Sequence, residues 1–209
     1  MQYISLGLSI LSLLIAGAAL YFSQLRRAKI KVILGPEIEI YHHDYEHGIS
    51  TGFIVPVSFL NDTPSTGNVI KSAIVVTKNG FEEERFYIQS LKFDVLNEGS
   101  GNWEHEEDAR PIVISARNGT HKNMWCMWHA FNTNKLFLSK GKYELSFYFW
   151  VSEKSKPSKI TKTFYVSEEI EKVFHELRNG KKINSIKFVL EKELEFNKLM
   201  NNDEFSKLL

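Results

Sequence analysis

A single cysteine, Cys126, stands among 209 residues. No internal disulfide can form, which excludes a disulfide-stapled secreted fold. Proline is also scarce at 5, and with 43% hydrophobic and 24% charged residues the chain is neither disordered nor collagen-like. An excess of either charge is missing too: 26 Lys+Arg face 25 Asp+Glu, for a net charge of +1. No global field then draws the protein to nucleic acid, and no nucleic-acid partner is expected. The chain also lacks G-x-x-x-x-G-K-[ST], G-x-G-x-x-G, H-E-x-x-H, G-x-S-x-G and C-x-x-C. These are the short signatures of phosphate, dinucleotide, zinc, serine-nucleophile and redox sites, so neither an enzyme nor a cofactor is expected.

The sharpest absence is local. Residues 1–25 carry no charged side chain, and Tyr3 to Phe22 is an uncharged, mostly apolar run. At about 1.5 Å per residue such a helix spans a hydrocarbon core of about 30 Å. Tyr3 at one end and Tyr21-Phe22 at the other suit the interfacial aromatic belts. A cleaved signal peptide is the competing assignment, with an Ala-x-Ala-like site at Ala16 to Ala19. Against it, the Met-Gln start has no basic residue and the apolar run is too long for an ordinary h-region. A transmembrane helix over residues 3–22 is therefore expected. Arg26, Arg27, Lys29 and Lys31 follow it, so the positive-inside rule puts the N-terminus outside and the rest in the cytoplasm, at the inner or plasma membrane. Ser5, Ser9, Ser12, Ala16 and Ala19 recur at spacings of 4, 3, 4 and 3 along the span. Such a seam of small residues suits self-association or pairing with another membrane helix. The general richness of membrane helices in Ser, Ala and Gly accounts for it equally well.

What is abundant beyond Ala28 is β pattern. Ile30, Val32 and Leu34 alternate with their neighbours, Gly35-Pro36 interrupts, and Glu37 to Tyr41 alternates again. Further strands are expected at Gly52–Leu60, Asn68–Thr77, Glu83–Val95, Ile112–Ala116, Met124–Phe131, Tyr143–Ser152 and Lys159–Val166. Turn-rich stretches separate them, and Asn79-Gly80 is the best hairpin signal. No βαβ alternation occurs, so a parallel nucleotide-binding sheet is not expected. The fold class expected is mainly β: an antiparallel sandwich or barrel over residues 26–166. A helical segment over 167–209 follows. Ser167 is its N-cap, Ile170, Val173, Phe174 and Leu177 share a face, and Gly180 ends the first helix. Ile186, Val189, Leu190, Leu194 and Phe196 fit a second helix better than a strand, while Lys192–Leu209 is strongly charged.

Three stretches hold candidate sites. His42, His43 and His47 are weak metal candidates, since imidazoles bind zinc, nickel or copper, but the stretch reads as an ordinary polar hairpin loop. Glu104-His105-Glu106-Glu107-Asp108 offers paired carboxylates with nothing to desolvate them, and reads as a solvated loop. Met124 to Phe131 is apolar or aromatic on both alternating faces, so one face needs a cover: the C-terminal helices or a second protein. Cys126 and His129, three apart on a strand, point to opposite faces and make no catalytic dyad. Trp125 and Trp128, with Tyr148 and Trp150 on the next aromatic strand, are the candidate partner surface.

The Gly35-Pro36 break, the strand opening Gly67-Asn68-Val69-Ile70-Lys71-Ser72 and the Lys140-Gly141-Lys142-Tyr143-Glu144-Leu145 entry, of the form G-x-Y-x-L, carry a resemblance. In that order of parts the chain resembles bacterial single-pass membrane-anchored proteins with an immunoglobulin-like sandwich. The resemblance implies architecture over most of residues 28–166 and no catalytic residues; the Cys pair and spaced Trp of antibody domains are absent. Three functions are in play. The first is a non-enzymatic anchored module that binds a partner protein or senses a ligand. The second is a membrane-perturbing effector, as in antiviral defence, that oligomerises through its helix. The third is a metal-dependent enzyme using the histidines.

Overall fold

The computed structural model describes residues 2–46, 48–81, 83–180 and 184–190. Helix α1 (Gln2–Leu20) continues through a π-helical turn, Tyr21–Leu25, and stops at Arg26, whose backbone is extended. Leu6–Leu25 is long and apolar enough to cross a membrane, and none of it is buried against the rest of the chain.

The chain then forms β1 (Ile30–Leu34), β2 (Glu37–Tyr45), β3 (Gly48–Asn61), β4 (Gly67–Val69), β5 (Lys71–Lys78) and β6 (Arg85–Asn97). It continues with β7 (Asn102–Asp108), β8 (Ile112–Ile114), β9 (Asn118–Trp128), β10 (Gly141–Trp150) and β11 (Ser158–Val166), then α2 (Glu168–Asn179) and β12 (Ser185–Val189). A 10-stranded sheet runs β11-β10-β5-β6-β9-β3-β2-β12, with β1 also on β3 and β7 also on β6, and β4 with β8 forms a small separate pair. Every pairing is antiparallel. The mainly β, antiparallel class expected from the alternation is what forms.

The sheet bends back on itself at β6. Its first half pairs with β5 and its second with β9, with a register shift between Ser90 and Lys92; an irregularity of that kind turns a strand sharply. The two halves of the sheet then face one another. Phe53, Val55, Val57 and Phe59 of β3 are fully buried on the inner side, and so are Leu145 and Phe147 of β10. The rings of Phe59 and Phe147 meet across the gap at 6.5 Å. At the far edges Phe164 of β11 touches Phe188 of β12 at 5.3 Å, so the sheet is one nearly closed barrel. Pro56 explains the break between β1 and β2. Both strands line the same edge of β3, Pro56 has no N–H to donate, and its carbonyl accepts instead from the Gly35 amide at 2.7 Å.

Asn79-Gly80 does turn β5 into β6, with Ile74 opposite Ile88 and Gly80 at φ +85°. Ser167 caps α2 by accepting from the Ile170 amide, and Gly180 ends it. The second C-terminal helix is a correction: Ser185–Val189 is strand β12, paired with β2. Phe188 and Leu190 are buried while Lys187 and Val189 are exposed, a period of two that Phe188 completes. Leu194, Phe196 and the rest of 191–209 lie outside the described residues. Two stretches expected as loops are strands as well: His42-His43 within β2, and the acidic run within β7.

The chain between α1 and the barrel is docked. Ser65 Oγ donates to the Arg26 carbonyl at 2.8 Å, Lys31 pairs with Asp62 at 2.6 Å, and the Arg117 guanidinium donates to the Ser23 carbonyl at 3.4 Å. Behind these, the buried Asn61 amide donates to the carbonyls of Ser65, Ile114 and Ser115, and its oxygen accepts from Thr63.

The register gives a direct check. Phe59 is fully buried and its neighbour Leu60 is 39% exposed. Phe59→Ala should cost about 3–5 kcal/mol and Leu60→Ala less than about 1 kcal/mol in urea unfolding; the reverse order would mean a slipped strand.

Candidate functional site

The candidate residues of the sequence separate into unlike surroundings. On α1, Ser9, Ser12, Ala16 and Ala19 are exposed; the Ser5 side chain lies outside the described residues. Arg26, Arg27 and Lys29 are exposed where the helix ends, and Lys31 is held by Asp62.

The aromatic strand needs correcting. Trp125 and Trp128 are three residues apart, so they sit on opposite faces of β9 and form no common surface. Trp128 belongs with the main core, its ring edge-on to Phe86 at 5.1 Å and its indole N–H donating to the Asn134 carbonyl. Trp125 lies on the outer face yet is only 9% exposed. The C-terminal helix does not cover it; Tyr41 and Trp103 do. On the opposite wall of the barrel, Tyr148 and Trp150 are half-buried beneath cations, with Lys159 Nζ 5.8 Å from the Tyr148 ring and Lys71 Nζ 4.9 Å from that of Trp150.

The cover over Trp125 creates a trough. Ile54 lines it, and with Trp125 and Met127 beside it forms a second apolar cluster separate from the main core. Tyr41 lies flat across β3 because Gly52 leaves room for it; a Cβ there would stand 2.5 Å from Tyr41 Cζ. The Trp125 indole N–H donates to the Tyr41 hydroxyl, whose pKa burial raises. Trp103, on β7, donates its indole N–H to Glu39 Oε2 at 2.9 Å, and Ser185 Oγ reaches the same oxygen at 2.7 Å. In the sheet, β6, β9 and β3 lie between β7 and β2. Four spacings in a flat sheet would be about 19 Å, so the sheet curls until β7 stands over β2. The hollow enclosed is about 390 Å³.

Lys92 and Asp94 face this hollow together with His43, Asn102 and Asn184. Asp94 is 3% exposed, and its Oδ1 receives no hydrogen bond from the described residues. Lys92 Nζ forms an ion pair with that oxygen at 3.0 Å and also lies 4.6 Å from the centre of the Trp125 ring. Burial raises the Asp94 carboxyl above its ordinary range, with Lys92 pulling it back. A buried carboxylate is costly to the fold unless it is paired, and Lys92 is the cation that pairs with it here.

The histidines part company. His42 points inward and is 3% exposed, whereas the His43 ring packs on Tyr45 at 4.1 Å; adjacent residues of β2 cannot share a metal from opposite faces. His47 lies outside the described residues, and among those described no group of three His, Cys, Asp or Glu is placed to hold a metal. His42 is instead a strut between β2 and α2. Arg178 Nη1 donates to its Nε2 at 3.2 Å, its Nδ1–H donates to Thr51 Oγ1 at 3.0 Å, and Thr51 donates onward to the Leu136 carbonyl. Burial and the Arg178 charge lower its pKa to about 4. Cys126 is buried too, its thiol pushed up to about 12, so it is no nucleophile at neutral pH.

Of the trough, Trp125 and His43 are the residues singled out in the sequence as sites, the one for a partner surface and the other for a metal. Gly52 inside a strand was a legible signal of close approach, and Asp94 between Phe93 and Val95 interrupts an apolar run.

Two outcomes follow. Because folded His42 titrates near 4 and an unfolded histidine near 6.5, the unfolded state takes up the proton first. Stability is full above pH 6.5 and falls by about 3 kcal/mol towards pH 4; His42→Gln should lack this step in acid unfolding curves. Asp94→Leu should leave the melting temperature unchanged or higher, since the cost of burying the carboxyl offsets its pairing with Lys92. A loss above about 2 kcal/mol would make the Lys92–Asp94 contact structural rather than functional.

No family model matches the chain, and no curated protein matches it. Solved structures align weakly. A Northeast Structural Genomics Consortium target is 9% identical with a TM-score of 0.35, over 82% of this chain and 95% of that one. A protein from Archaeoglobus fulgidus is 9% identical at 0.31, over 83% and 100%. A family 123 glycoside hydrolase from Clostridium perfringens is 10% identical at 0.32, over 66% of this chain and 27% of that one. At such scores the likenesses carry no argument about function.

Proposed function

We propose that the chain is a single-pass, membrane-anchored sensor or binding module without catalytic activity. Its domain lies on the cytoplasmic side of the inner or plasma membrane, layered in the manner of an immunoglobulin-like sandwich, and regulates a partner protein. The observation that carries the reading is Asp94: a buried carboxyl, ion-paired with Lys92 at 3.0 Å, that lines a hollow together with the aromatic side chains of Tyr41 and Trp103. Folding alone gains nothing from it, whereas ligand sites combine an apolar lining with a few such polar groups. The basic flank after α1 supports the orientation. The covering of Trp125 shifts the balance from a flat partner surface to an enclosed ligand, and leaves Tyr148 and Trp150 as the aromatic face for the partner.

A second reading, the oligomerising effector, draws on the exposed Ser9, Ser12, Ala16 and Ala19 along α1.

Purified full-length protein, warmed in the presence of a dialysed small-molecule extract of its host cell, should melt several degrees higher than in buffer. Asp94→Leu should show no such shift; an equal shift in both, or none in the wild type, would remove the trough as the sensing site. Crosslinking in membranes tests the second reading: Ser9→Leu with Ala16→Leu should abolish oligomers, and unchanged oligomers would exclude the seam.

A further inference from the structure

We infer that the trough binds a neutral, hydroxyl-rich ring, a sugar residue; this rests on the reading of the trough as the sensing site. Charge is the first discriminator. The place a cationic ligand would take, against Trp125 and beside Asp94, is filled by the chain's own Lys92, 4.6 Å from the ring centre and 3.0 Å from Asp94 Oδ1. An anion fares no better. Asp94 lines the hollow with a carboxylate, and Lys92 is already shared between Asp94 and Trp125. A neutral ligand meets neither objection.

Hydrogen bonding is the second discriminator. The Asp94 carboxylate accepts from an O–H or N–H donor, while the side-chain amides of Asn102 and Asn184 offer donors from other sides of the hollow. These groups come from β6, from β7 and from the residue before β12, so they surround the ligand rather than meet one edge of it. A pyranose has that form. Its hydroxyls radiate around the ring and both donate and accept, and its C–H faces pack on aromatic surfaces such as Trp103 and Tyr41. A flat nucleobase offers polar groups along its edges only, and a nucleotide would bring an anionic phosphate. The hollow of about 390 Å³ lies within the range of small-molecule sites, about 300–1,000 Å³.

The test uses full-length protein in a detergent without a sugar headgroup, with tryptophan fluorescence as the readout because Trp103 lines the hollow and Trp125 lies against Lys92, which also lines it. The probes are glucose, N-acetylglucosamine, maltose and an array of neutral oligosaccharides, against tetramethylammonium, inorganic phosphate and adenosine. At least one neutral sugar should give a saturable change with Kd of about 1 mM or tighter. Binding should weaken at least tenfold in Asp94→Leu and in Trp103→Ala, while both variants keep the wild-type circular dichroism spectrum. If no sugar saturates, or tetramethylammonium, phosphate or adenosine saturates in their place, the ligand class is wrong. Sugar binding that both variants leave intact would put the site elsewhere. Should the host-cell extract still raise the melting temperature of the wild type but not of Asp94→Leu, the trough stands as the sensor and only the sugar is overturned. Without that shift, both fail.

Discussion

Strands β3 and β9 bury side chains on both of their faces, and that constraint shapes the domain. Phe53, Val55 and Phe59 on one side of β3 are matched by Ile54 on the other, and Met124 and Cys126 on β9 by Trp125 and Met127. An antiparallel sheet ordinarily needs one dry face. Here the inner face is covered by folding at β6, and the outer face by curling until β7 reaches Glu39 of β2. The first closure makes a core. The second makes a hollow, because its cover is a few long side chains rather than a packed layer.

That difference explains why polar groups gather on the outer side. In the main core a buried Asp94 would find no tolerance. At the rim of the trough it retains Lys92 as a neighbour, and Asn123 Nδ2 ties its backbone carbonyl at 3.1 Å. By contrast, His42 lies on the core side and every nitrogen of its ring is engaged. Two ionisable groups of similar burial are thus treated in opposite ways: one is locked neutral with its partners complete, the other held by a single cation at the rim of a hollow.

Local pattern made most of this fold legible. Alternation located nearly every central strand, the uncharged run located α1, and Ser167 with Gly180 bounded α2. What escaped was set by distant partners. Glu104 to Asp108 reads as solvated because its charges face water, yet its backbone pairs with β6. Ile186 to Leu190 becomes a strand because β2 offers a free edge. The trough was illegible for the same reason: Tyr41, Asp94, Trp103 and Ser185 are brought together only by the curl, and no spacing along the chain records it.

The docked junction at residues 26–29 has a mechanical meaning. Hydrogen bonds tie the Ser23 and Arg26 carbonyls to the Asn61 end of the barrel, so the end of α1 is docked on the domain. Turning the helix about its axis turns the barrel with it. The azimuth of α1 therefore sets the compass bearing of the trough, and anything that grips one face of the helix also decides which way the hollow looks.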